Sequence, residues 1–119
     1  MRQLTTLEVI RALPIEPATK EKLVAMYPTM DTDTQLEVSQ TCWAAFHNMK
    51  KIIEDYYRQH VTQDIANGTR TSEPDPEIQV AEEAWKEIEN RITGKAEDDE
   101  KLSSIRSQLE NLIHDSHTS

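Results

Sequence analysis

The sequence predicts an all-α protein: a small helical bundle with a long central helix, an N-terminal pair of short helices and a C-terminal antiparallel helical hairpin. The 119 residues contain only two glycines, Gly68 and Gly94. Each follows a run of apolar residues at helical spacing, at the place where glycine commonly closes a helix. Five prolines divide the chain further, and no segment shows the alternation that is typical of a strand. The length is that of a single domain, 1–119.

The N-terminal pair of short helices is predicted at 5–27. Thr5 and Glu8 have the spacing of a capping box, which favours a helix start at this point. Pro14 ends this first helix. Pro17 suits the first turn of the second helix, where its missing N–H group costs nothing. The second helix is expected to end before the next proline, at position 28.

The central helix is predicted at 34–66. Thr34 and Glu37 repeat the capping-box spacing, and a helix of this length extends roughly 50 Å. Its inward stripe follows spacings of three and four residues: Val38, Cys42, Phe46, Met49, Ile53, Tyr56 and His60. Further apolar residues widen both edges of the stripe, which predicts neighbouring helices on more than one side.

A polar linker, 68–74, separates the central helix from the hairpin at 76–115 and is the best candidate for a hinge. Asp75 is placed to cap the hairpin, with Pro76 in the first turn. The first arm is predicted to turn inward Ile78, Ala81, Trp85, Ile88 and Ile92, and the second arm Leu102, Ile105, Leu109, Leu112 and Ile113.

The charge of the chain disfavours nucleic acids and anionic membranes as partners. The net charge is −9, and residues 67–119 hold six basic against thirteen acidic residues. Such a chain lacks the cations that bind phosphate, although it attracts basic proteins. It has neither an apolar run long enough to cross a membrane nor a secretory signal, and its single cysteine excludes an internal disulfide. We therefore expect a cytoplasmic protein.

No arrangement of residues in the sequence demands a particular chemistry. Glu110, His114 and His117 have spacings that place pairs on one helix face, but they lie at the end of the chain, where a supporting shell is hard to build. Cys42 falls on the buried stripe, where a thiol behaves as a small apolar group. His60 continues the same stripe and is expected to be partly buried and hydrogen-bonded. We predict no catalytic residues, no metal site, no cofactor and no enzymatic activity.

The strongest hint of a binding surface is an aromatic line along the central helix. It consists of Leu36, Trp43, Tyr57 and Val61. Large aromatic side chains beside a polar border suit an interface anchor. The alternative is that the N-terminal helices simply cover these residues.

A second candidate surface is the acidic face of the hairpin, formed by Glu82, Glu83, Glu87 and Glu89. A row of carboxylates resembles the phosphates of a nucleic acid and could occupy a basic cleft. The alternative is an ordinary solvated helix face, since Lys86 and Arg91 interrupt the row.

The sequence thus favours a non-enzymatic helical protein–protein interaction or regulatory module that self-associates through an aromatic helix face. Its partner would be an unidentified protein of basic character or a second copy of the chain, with no direct binding of nucleic acid or membrane. The alternative is an acidic nucleic-acid mimic that inhibits a basic DNA- or RNA-binding protein.

Overall fold

A computed structural model describes residues 3–94, 105, 107 and 109–111. The helices are α1 (Thr6–Ala12), α2 (Pro17–Met26), a 3₁₀ turn (Tyr27–Thr29), α3 (Thr32–Ala66) and α4 (Pro76–Ile92). The isolated residues 105, 107 and 109–111 are also helical, and none of the described residues is in a strand. Within these residues the all-α prediction is confirmed.

The two N-terminal helices begin as their sequences predict. The capping box of α1 is formed: the N–H of Glu8 donates to Thr5 Oγ1 at 3.2 Å, and the N–H of Thr5 donates to Glu8 Oε1 at 3.1 Å. Pro17 occupies the first turn of α2. Helix α2 ends at Met26, before Pro28 as predicted, and the 3₁₀ turn that follows contains this proline.

The central helix α3 begins two residues earlier than predicted. Asp31 is the N-cap, and its carboxylate accepts a hydrogen bond from the N–H of Thr34 at 2.7 Å. Thr34 therefore lies within the first turn, and its predicted capping role is wrong. The Asp31 carboxylate satisfies a backbone donor of the first turn and complements the helix dipole. The helix therefore begins at Thr32 and not at Thr34.

The end of α3 follows the prediction from Gly68. This glycine has a φ of 78°, in the left-handed region. Its N–H donates to the carbonyl of Ile65 at 3.1 Å, and the N–H of Thr69 donates to the carbonyl of Asp64 at 2.9 Å. These two bonds make a Schellman motif, which satisfies carbonyls that the helix end would otherwise leave without donors.

The core lies where α1 and α4 pack on α3, with α2 packed on α1. Most of the predicted stripe of α3 is buried: Val38, Cys42, Phe46, Met49 and Ile53. The last two residues are corrections, since Tyr56 and His60 are exposed. Helix α4 lies instead against the adjacent column, where Val61 is fully buried and Tyr57 bonds to a residue of α4.

The inward face of α4 also differs from the prediction. Asp75 caps the helix and Gly94 follows its end, as expected. The buried residues, however, are Gln79, Val80, Ala84, Ile88 and Arg91, whereas Ile78 and Ala81 are exposed. Trp85 and Ile92 are half-buried and pack against the core, in part as predicted. Of the predicted stripe only Ile88 is fully buried, because the column from Val80 through Ala84 to Ile88 faces the other helices.

The linker 68–74 is fastened to α4 by side chains. Gln79 Nε2 donates to the carbonyls of Thr71, at 3.0 Å, and Pro74, at 2.7 Å. Arg70 Nη1 donates to Gln79 Oε1 at 3.2 Å and to Glu83 Oε1 at 2.9 Å. A hinge at the linker stays a prediction, and opening it would break these bonds.

The second arm of the predicted hairpin 76–115 lies largely outside the described residues. Ile105 and Leu109 are buried in the same core as α1, α3 and α4, as predicted for inward positions. Leu102, Leu112 and Ile113 lie outside the part of the chain that the structure describes.

Candidate functional site

The four residues of the predicted aromatic line do not form one accessible surface. Val61 is fully buried, whereas Leu36 at the other end is 57% exposed. Trp43 is half-buried, and its indole Nε1–H donates to Thr6 Oγ1 in α1 at 3.3 Å. At Trp43, therefore, an N-terminal helix covers the line. Tyr57 is half-buried and faces α4.

Tyr57 belongs to a polar connection between α3 and α4. Its hydroxyl donates to Glu87 Oε1 at 2.9 Å, and Arg91 Nε donates to Glu87 Oε2 at 3.4 Å. Burial raises the pKa of Tyr57 well above its usual value, and the hydrogen bond to the Glu87 carboxylate raises it further. The tyrosine is thus a neutral donor that holds the two helices in register.

The predicted acidic face is not a continuous row of free carboxylates. Glu83 accepts from Arg70, and Glu87 accepts from Tyr57 and Arg91. Glu89 is half-buried, so Glu82 is the fully exposed member of the four. Pairing with cations removes much of the field that a phosphate-like track needs.

The exposed part of α3 that continues the core stripe forms a surface that we call the uncharged face. It consists of Ile52, Tyr56, Gln59, His60 and Gln63. Ile52 is half-buried, Tyr56 is 41% exposed and the other three are exposed. The Tyr56 ring lies 4.4 Å from the His60 ring and 5.2 Å from the Tyr57 ring, measured between centroids. An exposed aromatic pair thus stands on a helix face, anchored to the core through Tyr57.

The charges of this part of α3 all lie on the remaining arc of the helix. They are Lys50, Lys51, Glu54, Asp55, Arg58 and Asp64. Asp55 and Asp64 border the uncharged face, and each is paired, with Arg58 at 2.7 Å and Arg70 at 3.4 Å. The sequence interpretation missed this surface because it assigned Tyr56 and His60 to the core. The segregation of charge to one side of 50–64 is the signal that could have identified it.

The described residues include carboxylates, histidines and a cysteine, the side chains that metal binding or nucleophilic catalysis uses. Among them, no group of three or more histidine, cysteine, aspartate or glutamate side chains is placed to hold a metal ion. Cys42 is fully buried, and burial raises the pKa of its thiol to about 11. A thiol in this state is a poor nucleophile at neutral pH.

Comparisons of the chain with protein-family models, with curated proteins and with solved structures found no match. No helix in the described part of the chain is both long and apolar enough to cross a membrane. The geometry of the uncharged face is therefore the main guide to function.

Proposed function

We propose that this protein is a non-enzymatic helical interaction module that self-associates through the uncharged face of α3. The observation that carries the proposal is the exposure of Tyr56 and His60 on the line of the buried core stripe. Aromatic side chains that are accessible yet held by neighbouring rings supply contact area with little loss of conformational freedom.

The neutrality of the face supports a second copy as the occupant. Each copy has a net charge of −9, so two copies repel at long range. Contact is least unfavourable where neither surface adds a charge that must be desolvated. Glutamines at Gln59 and Gln63 offer both donors and acceptors, so they are able to pair with their own equivalents across a two-fold axis.

The extent of the face implies a weak complex. Residues 52–63 extend about 17 Å along the helix. The surface area of a strip of this length on one helix is smaller than the roughly 800 Å² that each partner of a stable complex commonly buries. Self-association is therefore expected to be transient and to need high protein concentration.

An acidic nucleic-acid mimic has less support. Two of its four predicted carboxylates, Glu83 and Glu87, already accept hydrogen bonds from arginines within the chain. Glu82 remains exposed, but one carboxylate does not imitate a phosphate backbone.

Sedimentation equilibrium of the wild-type chain and of Tyr56→Glu tests the proposal. A glutamate places a charge in the middle of the face on each copy, so two charges must be desolvated or repel on contact. We expect a concentration-dependent increase in mass for the wild-type chain and at least a tenfold weaker association for the variant.

The matched control is Gln40→Glu, which adds the same single charge at an exposed residue outside the uncharged face. Circular dichroism of all three proteins is used to check that the variants retain the helices. A wild-type chain that stays monomeric to about 1 mM, a concentration at which even millimolar affinity is visible, contradicts the proposal. Equal weakening by the two variants contradicts it as well.

A further inference from the structure

A separate feature of the fold is a cavity between α2 and the C-terminal end of α4. Its volume is about 690 Å³, within the range of pockets that hold small organic molecules. One side is aliphatic, with Ile15, Val24 and Ile92 among the lining residues. The cavity does not touch the uncharged face, so it is independent of the proposed self-association.

Three cations line this cavity, although the chain as a whole is strongly acidic. They are Arg11, Lys20 and Arg91, and among the described lining residues they stand against one carboxylate, Glu21. Lys20 Nζ donates to the backbone carbonyl of Arg11 at 2.8 Å, which holds the ammonium group beside the arginine. Among the described residues, Arg11 makes no salt bridge. Among the described residues, the lining of the cavity thus holds more cationic than anionic side chains, although the net charge of the chain is −9.

Arg91 is the residue that points most directly to a ligand. It is only 6% exposed, and within the described contacts its guanidinium uses Nε alone, in a 3.4 Å bond to Glu87. In the described part of the chain, every side-chain nitrogen and oxygen that is fully enclosed has a hydrogen-bond partner. Nη1 and Nη2 are therefore not fully enclosed, they make no bond within the described contacts, and Arg91 is one of the residues that line the cavity.

We infer that this cavity binds a small organic anion with an aliphatic body, of the class of a medium-chain carboxylate. A guanidinium presents parallel N–H donors that match the two oxygens of a carboxylate. Arg91 binds the carboxylate inside the cavity, and Arg11 and Lys20 supply positive charge at its rim. The aliphatic side chains cover the ligand's hydrocarbon body, which the hydrophobic effect favours.

The test is a titration of the full chain with octanoate, followed by methyl NMR. The comparison ligands are octanol, which keeps the chain but lacks the charge, and acetate, which keeps the charge but lacks the chain. We expect octanoate to saturate one site and to shift the methyl signals of Ile15, Val24 and Ile92. Octanol and acetate are expected to bind at least tenfold more weakly.

Four variants test whether octanoate binding depends on the charged side chains that line the cavity. Arg91→Gln is expected to weaken octanoate binding about tenfold or more. Arg11→Gln, an exposed change, is expected to weaken it severalfold even if Arg91→Gln fails to fold. Glu21→Gln removes the lining carboxylate and is expected to strengthen binding. Lys51→Gln removes a cation outside the cavity and serves as the control.

Three results overturn the inference. One is the absence of a saturable change with octanoate. Another is binding of octanol as tight as that of octanoate, which means that the cavity recognises only apolar surface. The third is an equal loss of binding in Arg11→Gln and Lys51→Gln, which means that octanoate responds only to the overall charge.

Discussion

At the scale of single residues, the thiol of Cys42 and the hydroxyl of Tyr57 both serve the packing. Cys42 is enclosed in the core, and the Tyr57 hydroxyl donates a hydrogen bond to Glu87. Both environments favour the neutral form of the side chain, since a thiolate or phenolate at either position loses hydration. The chemistry of these residues is thereby suppressed, and their contribution is to stability.

Cys42 is expected to react with Ellman's reagent at least about a hundredfold more slowly than an exposed thiol at pH 8. The thiol pKa of about 11 leaves a very small thiolate fraction, and burial blocks the reagent. The reaction rate of the native chain, compared with that in denaturant, measures this protection. Equal rates in the two states contradict the burial of the thiol.

Tyr57 is expected to ionise at a pH well above the usual pKa of a tyrosine, as measured by ultraviolet titration. The raised pKa means that the folded state retains a proton that the unfolded chain releases near pH 10. The contribution that this hydrogen-bonded phenol makes to the free energy of unfolding is therefore complete below pH 10, and it declines as the pH rises above 10. Tyr57→Phe is expected to remove the step of the titration that occurs at the highest pH. If that step persists in this variant, it does not belong to Tyr57.

At the scale of the elements, helix boundaries were predictable because their signals are local. Thr5, Pro17 and Gly68 act through their own backbone and near neighbours. It was harder to predict which face of each helix is turned toward the core. Tyr56 and Tyr57 are adjacent in sequence and chemically alike, and only the position of α4 decides that the second of them faces inward.

The inward face of α4 was predicted in part, since Ile88 is buried and Trp85 and Ile92 pack against the core. The apolar pattern of Ile78, Trp85 and Ile92 favours one orientation, but Val80 and Ala84 provide the column that the other helices contact. Burial of Gln79 has no apolar signal at all, because it depends on carbonyls of the linker. The uncharged face was missed for this reason too, since its exposure depends on which helices lie beside α3.

Gly68→Ala is expected to destabilise the chain by about 1–2 kcal/mol, because an L-residue pays for the left-handed conformation. The cause is the backbone alone, since an added Cβ would meet nothing within 4 Å. Urea denaturation measures the change in the free energy of unfolding. Gly68→Asn is the control and is expected to cost less, because asparagine tolerates this conformation better. Equal costs contradict the backbone explanation.

Gln79→Ala is expected to lower the free energy of unfolding by about 1–3 kcal/mol, since it leaves two linker carbonyls without their donor. The side chain is nearly buried, at 8% exposure, so water replaces these bonds poorly. Arg58→Ala removes an exposed pair with Glu77 that joins the same two helices, and it is expected to cost less because water screens the charges. A larger loss in Arg58→Ala than in Gln79→Ala contradicts this account of the linker.

At the scale of the whole molecule, the chain is elongated, with extents of 55 × 27 × 21 Å, and strongly negative. Its long axis is set by α3, the 35-residue helix on which the other elements pack. Buried residues occur along this helix from Val38 to Val61, and the uncharged face lies beside them on the exposed side of 52–63. The net charge thus opposes self-association, and the uncharged face favours it.

Self-association is expected to strengthen as salt increases. The repulsion between two copies of charge −9 is screened when the Debye length falls from about 10 Å at 0.1 M to about 3 Å at 1 M, whereas contacts of uncharged groups are little affected. Sedimentation equilibrium at the two salt concentrations measures the change. Weakening at high salt contradicts the proposal and indicates an interface made of opposite charges.

The most direct test of the central claim is an intermolecular NMR experiment that locates the interface. A spin label on Gln63→Cys in an unlabelled copy is mixed with a ¹⁵N-labelled wild-type copy, and the buried Cys42 leaves the label confined to the new site. We predict line broadening at the amides of residues 52–63 in the ¹⁵N-labelled copy, and much less from a spin label on Glu37→Cys, an exposed position roughly 20 Å further along α3. Broadening centred elsewhere, or none at concentrations where the mass increases, contradicts self-association through the uncharged face.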